Sequence, residues 1–227
     1  MTFVVNAPTI AFNAMNNVAP YLAQKYADLI SFLALNPAAA SAMRGANAPA
    51  IGSVDYIVLQ AQNFAASRNP RAPQAPATVP DEMVSVILVS YFGINPADVE
   101  RIKREHALSM GAENLVGDLL ERYLASVMEP QGWIWCSGAM VRAVDFIKPP
   151  TQQGAQWSLL QVKNRDNSEN SSSSAIRIGT EIEKWHRTFS KRVGSNWDAF
   201  PDASLRQGLS ERGFQQFVQQ YLGALPR

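Results

Sequence analysis

The sequence predicts an α/β fold, on three observations. Short runs with strand composition, WIWCS, AMVRAVDFI and QWSLLQVKN, crowd into residues 133–164. A helix with an apolar stripe precedes them and a helical pattern follows, so the order reads helix, strand, strand, strand, helix. The chain can also bury a core: 227 residues, 47% hydrophobic and 17% charged, suffice for one large domain or a domain with a sizeable extension.

Taken in order, residues 1–68 read as Ala-rich helices with apolar residues at helical spacing, one near 19–35 and another near 53–66. NPRAPQAPATVP follows, with Pro70, Pro73, Pro76 and Pro80. Proline lacks the backbone donor and fixes φ, so this segment is an extended connection. The chain therefore divides into 1–80, a helical N-terminal region with its connection, and 81–227, the core. DEMVSVILVSYFG reads as a buried helix, with a strand as the alternative for so apolar a run. INPADVERIKREH opens with Asn95 as N-cap and Pro96 at the first helical position, where a missing N–H is harmless. A further helix over 111–129 spaces Leu115, Leu119, Leu120, Leu124 and Val127 so that they share an inward face, and PQG at 130–132 ends it. The first two strand runs form a hairpin or a bulged pair around Gly138, KPPTQQGA turns the chain, and QWSLLQVKN is the third run. NRDNSENSSSS, residues 164–174, has no apolar side chain and reads as a loop. A helix is expected over about 175–192, through Glu181, Trp185 and Phe189, and a last one over LSERGFQQFVQQYLGAL. Trp133, Trp135 and Trp157 are expected to fill the hairpin core, with Trp185 also buried.

Composition closes off several classes. No apolar stretch approaches the roughly 18 residues of a membrane span. The start, MTFVVNAPTIAFNAMNN, has no basic segment leading into a long apolar one, so neither membrane association nor secretion is expected. Cys136 is the sole cysteine, and no paired Cys/His spacing offers zinc ligands. A cytoplasmic, reduced protein fits. The net charge of +1 hides an asymmetry: residues 1–100 carry 4 basic and 6 acidic groups, the remainder 16 and 13, and residues 163–192 alone 7 and 4. An excess of that size also suits a solvated face, so charge alone names no partner.

One grouping carries chemistry. Asp145 lies late in the second strand run, and Gln161 and Lys163 are separated by one residue on the third. Alternation along a strand projects Gln161 and Lys163 from one face, about 7 Å apart, and a paired neighbour can bring Asp145 beside them. Hydrolysis of a phosphodiester needs such a set: oxygen ligands for Mg²⁺, a water made more acidic, and a cation facing the phosphorane charge. In GDLLERYL, Gly117 and Glu121 share one side of the helix; Gly117 would let another backbone approach, and Glu121 would face the strand ends as a second carboxylate. The alternative for Glu121 is an ordinary ion-pair partner on a solvated helix face.

GDLLERYL, QGWIWCSGAMVRAVDFI and QWSLLQVKN together resemble the helix, hairpin and catalytic strand of the PD-(D/E)XK nuclease superfamily, over residues 111–192. QVKNRDNSENSSSSAIR, with the overall length, is similar more narrowly to the SinI family of type II restriction endonucleases. The resemblance implies a mixed central sheet flanked by helices, Mg²⁺ as cofactor, and cleavage of double-stranded DNA at GGWCC, W being A or T. It implies Asp145 and Gln161 as metal ligands with Lys163 beside them. Gln161 departs from the superfamily pattern, which has an acid there. A neutral amide binds Mg²⁺ more weakly than a carboxylate, and Glu121, with Glu169 in reserve, is the candidate for the missing charge.

Sequence is read mainly in the major groove, where Arg forks onto guanine and Asn or Gln onto adenine. NRDNSENSSSSAIR is rich in such groups. Arg165 and Arg177 are the guanine candidates, with Asn164, Asp166, Asn167 and Ser171 holding them or touching bases, while Lys184 and Arg187 suit phosphates. Alternatively the serines cap the next helix and the arginines meet only phosphates. A palindromic target fits a homodimer. Three other readings remain open at this level: a nuclease for DNA junctions or repair intermediates, a DNA-binding protein whose metal site was lost at Gln161, and an interaction scaffold of Ala-rich helices without nucleic-acid affinity.

Overall fold

The computed structural model describes residues 2–152, 155–166, 176–177 and 180–226. The N-terminal helices are α1 (Ala7–Val18), α2 (Ala23–Leu35) and α3 (Val54–Ala66), the last capped by Ser53, whose hydroxyl accepts from the Tyr56 N–H. After the proline-rich connection come α4 (Glu82–Ser90) and the long α5 (Val99–Met128). Four strands follow among the described residues: β1 (Ile134–Trp135), β2 (Phe146–Lys148), β3 (Ser158–Arg165) and β4 (Ile182–Thr188). Helix α6 (Glu211–Gly223), capped by Ser210, closes the chain.

The sheet is mixed, in the order β1-β2-β3-β4, with the first two pairings antiparallel and β3-β4 parallel. Side-chain alternation splits it between two cores. Ile134 and Ile147 face a cluster built on α1, α2 and α3, around Met15, Tyr26, Leu33, Tyr56 and Phe64. Trp135, Phe146, Leu160, Val162 and Trp185 face the other way, onto Leu120, Leu124 and Met128 of α5 and Phe214 of α6. The short sheet is thus covered on both faces by helices.

Several expected elements take a different form. The helices expected near Asn95 and over 111–129 are one continuous 30-residue helix, α5, because no proline or glycine cap intervenes; Gly111 is simply helical. Asn95 does cap, its side chain accepting from the Ala97 N–H, but it starts a 3-10 turn that leads into α5. The chain leaves α5 through Glu129–Gln131 and Gly132 at φ +86°, a conformation glycine adopts without strain. The run AMVRAVDFI is strand only at its end, and Gly138, Ala139 and Ala143 all have positive φ, so the preceding stretch loops, with a single antiparallel bridge from Val141 to Ala40. DEMVSVILVSYFG is a helix but not a buried one: α4 has no buried residue. Trp157 packs on Phe32 of α2, with ring centroids 5.3 Å apart, and so belongs to the N-terminal core.

The helix expected over about 175–192 is, from Ile182 to Thr188, strand β4. Its aromatic and β-branched residues satisfy a strand as well as a helix, and parallel pairing with β3 buries Trp185 against Trp197 and Phe200. Hydrogen bonding along β3 overrides the helical spacing.

Candidate active site

The site forms where β3 runs on beyond its pairing with β2. Asp145, immediately before β2, is pinned from three directions. Its N–H donates to the Leu160 carbonyl at 2.9 Å, its carbonyl accepts from the Cys136 N–H at 2.8 Å, and its Oδ2 accepts from the Val162 N–H at 2.7 Å. The carboxylate therefore occupies the place that a continued β2 backbone would take beside β3. Gln161 and Lys163 flank that contact on one side of β3.

Glu121 comes from the other direction, on α5. Its Oε2 accepts from the Trp135 indole N–H at 2.8 Å, so strand β1 sets the orientation of a helix side chain. Glu121, Asp145, Gln161 and Lys163 line one cavity of about 760 Å³, whose far wall is Asn63 and Ser67 of the N-terminal helical region. Glu121 and Lys163 also line a neighbouring cleft with Gly117, Asn164, Arg165 and Arg187. The alternative of a solvated ion pair for Glu121 does not describe this geometry. Gly117 differs from expectation in another way: nothing lies within 4 Å of where a Cβ would be, so it opens the cleft and admits no neighbouring backbone.

Electrostatics mark these acids as a strained pair. Burial pushes the Glu121 carboxyl up to about 8, with the Asp145 charge adding to the rise and the Trp135 hydrogen bond and Lys163 opposing it. Burial likewise pushes Asp145 up to about 6, against the Val162 N–H and the Lys163 ammonium. Each acid would ionise more easily beside another cation.

The supporting shell is basic. Arg122, buried, donates to Asp118 Oδ2 at 2.7 Å and to the carbonyls of Ser67, Arg68 and Asn69, fastening the start of the connection to α5. Arg68 reaches Glu129 through two hydrogen bonds and the Trp135 carbonyl through a third. The guanidinium carbons of Arg68 and Arg122 lie 5.1 and 5.3 Å from the Trp135 ring centroid. Trp135 is thus contacted by two guanidinium groups while its indole holds Glu121.

The expected nucleic-acid contacts divide. Arg177 comes to the site itself, its Nε donating to Gln161 Oε1 at 3.3 Å. Asn164 accepts from Arg187 Nε at 3.0 Å, and Arg187 also pairs with Glu211 and lies over Phe214. Asp166 accepts from the Ser190 N–H at 2.8 Å, tying the end of β3 to the segment after β4, and Arg165 lines the cleft. Asn167, Ser171 and the reserve acid Glu169 lie outside the described residues. Lys184 was expected on a helix, but it sits on β4 in register with Gln161, and His186 is in register with Lys163. Paired residues share a face, so Lys184 and His186 extend the polar face of Gln161 and Lys163 sideways. Reading residues 182–188 as a strand would have placed both; the helical reading hid them. Trp135, assigned only to the core, was missed as a partner of Glu121.

Fold and site together define a class: a mixed α/β protein whose cleft gathers two carboxylates, an amide and a lysine at a strand end. The model of the SinI restriction endonuclease family matches residues 7–224. The type II restriction enzyme Eco47I of Escherichia coli is 51% identical over 222 residues, covering 97% of this chain and 96% of that protein. The type II restriction enzyme SinI of Salmonella infantis is 50% identical over 221 residues, covering 97% and 96%. The chain belongs to the SinI restriction endonuclease family. No helix among the described residues is long and apolar enough to cross a membrane.

Proposed function

We propose that this chain is a Mg²⁺-dependent type II restriction endonuclease with a PD-(D/E)XK-type core, which hydrolyses both strands of duplex DNA at GGWCC as a homodimer. The observation that carries the reading is the convergence of Glu121, Asp145, Gln161 and Lys163 on one cavity. The target sequence rests on the family resemblance.

The residues present fit a hard divalent cation. Two carboxylates and an amide oxygen are oxygen donors, and because burial raises the Glu121 and Asp145 carboxyls, a cation between them would favour their ionised, metal-binding forms. Among the described residues no group of three His, Cys, Asp or Glu side chains could hold a metal. The protein would supply Glu121, Asp145 and Gln161, leaving room for water and phosphate oxygens, as Mg²⁺ prefers. Bound there, Mg²⁺ supplies charge against the scissile phosphate and acidifies water. The chain's residues do the rest. Lys163 orients the attacking water and faces the charge that grows on the phosphate. The Val162 N–H fixes Asp145, and the Trp135 indole fixes Glu121. Glu121 replaces the charge that Gln161 lacks.

In the same reading Arg165 and Arg177 reach guanine, Asn164, Asp166, Asn167 and Ser171 shape that surface, and Lys184 holds a phosphate. Arg187, already engaged by Asn164 and Glu211, contributes by holding Asn164 in place.

Incubating the protein with plasmid and Mg²⁺ and sequencing the ends tests the proposal. Discrete fragments cut at GGWCC are expected. Cleavage only at junctions or damaged sites would favour a structure-specific nuclease, and DNA binding without cleavage in Mg²⁺ or Mn²⁺ a non-catalytic protein.

A further inference from the structure

Helix α4 and the first half of α5 form an arm that stands apart from both cores. Helix α4 buries no residue, and α5 buries only Val99 before Gly111. The connection crosses α5 at Gly111, where the Gln74 carbonyl lies 2.6 Å from the place a Cβ would occupy. Beyond that crossing the two helices have little but each other. Lys103 Nζ donates to Ser85 at 3.1 Å between them.

The arm is apolar where it should be wet. Met83, Ile87 and Tyr91 run down one side of α4 at i, i+4 and i+8, exposed by 57%, 53% and 82%, and Val84, Val86, Phe92, Leu108 and Met110 are exposed around them. A helix apolar on all sides is ordinarily buried. A nine-residue helix has almost no stability of its own in water and depends on packing. Tyr91 and Phe92, exposed by 82% and 64%, are aromatic side chains of the kind that dominate interface energetics.

We propose that this face is covered by a second copy of the same chain, the two helical arms packing around a two-fold axis as a four-helix bundle. The arm's charge argues against DNA as the occupant: residues 81–110 contain five acidic and three basic side chains, a net of −2. Its ion pairs, Arg101 with Asp98 and Glu105 and Lys103 with Glu100, are internal and leave the apolar stripe unobstructed. A two-fold contact is self-complementary, which suits an apolar stripe that needs no charge partner. The choice of occupant rests on the endonuclease reading, because cutting both strands of a palindrome calls for two sites. Helix α5 then joins dimer contact to active site, Leu108 and Glu121 being about 20 Å apart along its axis.

The test is the molar mass of the full-length protein in solution, measured by light scattering without DNA. Two chains are expected for the native protein and for Val193→Glu, an exposed apolar site elsewhere, and one chain for Ile87→Glu with Tyr91→Glu. A native monomer at micromolar concentration would overturn the proposal and leave this face to a different partner. So would a double variant that is folded by circular dichroism yet still dimeric. If that variant fails to fold, Ile87→Cys provides a second measurement, since the sole native cysteine, Cys136, is buried. Its maleimide labelling should slow at least ten-fold as protein concentration rises through dimerisation, and a rate independent of concentration refutes the contact. Because mass and labelling involve no DNA, a dimer that cuts nothing would defeat the endonuclease reading alone, and a cleaving monomer would defeat this inference alone.

Discussion

Four side chains make the site, and a fifth tunes it. Asp145 has little freedom, since Val162, Leu160 and Cys136 fix its backbone and carboxylate. Glu121 relies on one neutral donor, the Trp135 indole, whose ring two arginines contact. Removing that donor with Trp135→Phe keeps the ring and loses the hydrogen bond. Partners of metal ligands are typically worth about 10–100-fold in affinity or activity. The Mg²⁺ concentration giving half-maximal cleavage should therefore rise about ten-fold; an unchanged Mg²⁺ requirement would show that the indole does not position Glu121. Glu121→Gln should cut turnover at saturating Mg²⁺ far more than the Glu169→Gln control, and full activity of Glu121→Gln would remove Glu121 from the scheme. Much of this set was visible beforehand, because strand alternation puts Gln161 and Lys163 on one side without tertiary information. The Trp135 contact was not, since it joins β1 to α5 across a core that sequence spacing does not describe.

At the scale of elements, α5 is the organising part. Its second half carries Glu121 and packs the sheet, while the connection runs back along it, held by Arg122 at three carbonyls and passing over Gly111. A side chain at Gly111 has nowhere to go, because its Cβ would meet the Gln74 carbonyl and its neighbours at 2.6–3.0 Å. Overpacking of this kind costs about 1–3 kcal/mol, which should outweigh the usual gain of Gly→Ala within a helix. Gly111→Ala is thus expected to lower the unfolding free energy measured in urea, and a stabilised variant would mean the connection is not seated there. The sequence located the connection by its prolines but gave no sign that it lies against α5. Misreading β4 as a helix has a related origin: its partner is β3, and the spacing of residues along one segment does not say which other segment it will pair with.

For the whole molecule, one half-buried acid ties the halves together. Glu129, just after α5, pairs with Lys25 of α2 at 2.7 Å and Arg68 at 2.8 Å, and accepts the Trp135 N–H. Burial alone would raise its carboxyl, but Arg68 and Lys25 outweigh that and hold it below its usual range. A depressed folded value means the contribution is present above the ordinary glutamate range near 4.3 and is lost as pH falls through the folded value. Native protein should thus lose stability on acidification below about pH 4.5 more steeply than Glu129→Gln. At pH 7 that variant should be less stable by about 1.5–3 kcal/mol, the scale of hydrogen bonds to a charged group. Parallel pH profiles for the two proteins would dismiss Glu129 as the tie. Binding to duplex DNA should weaken linearly on a log–log salt plot, and Lys184→Ala should reduce that slope by about one if Lys184 meets a phosphate. The sequence by itself determined the α/β class, the Ala-rich helices, the connection and the carboxylate–amide–lysine grouping, because periodicity, proline placement and strand alternation are local. Only the tertiary structure decided that the short sheet lies between two cores, that Glu121 turns inward to Trp135, and that α4 faces outward. Those outcomes depend on which surfaces meet across long separations, and a residue's hydrophobicity says that it seeks cover without saying what covers it.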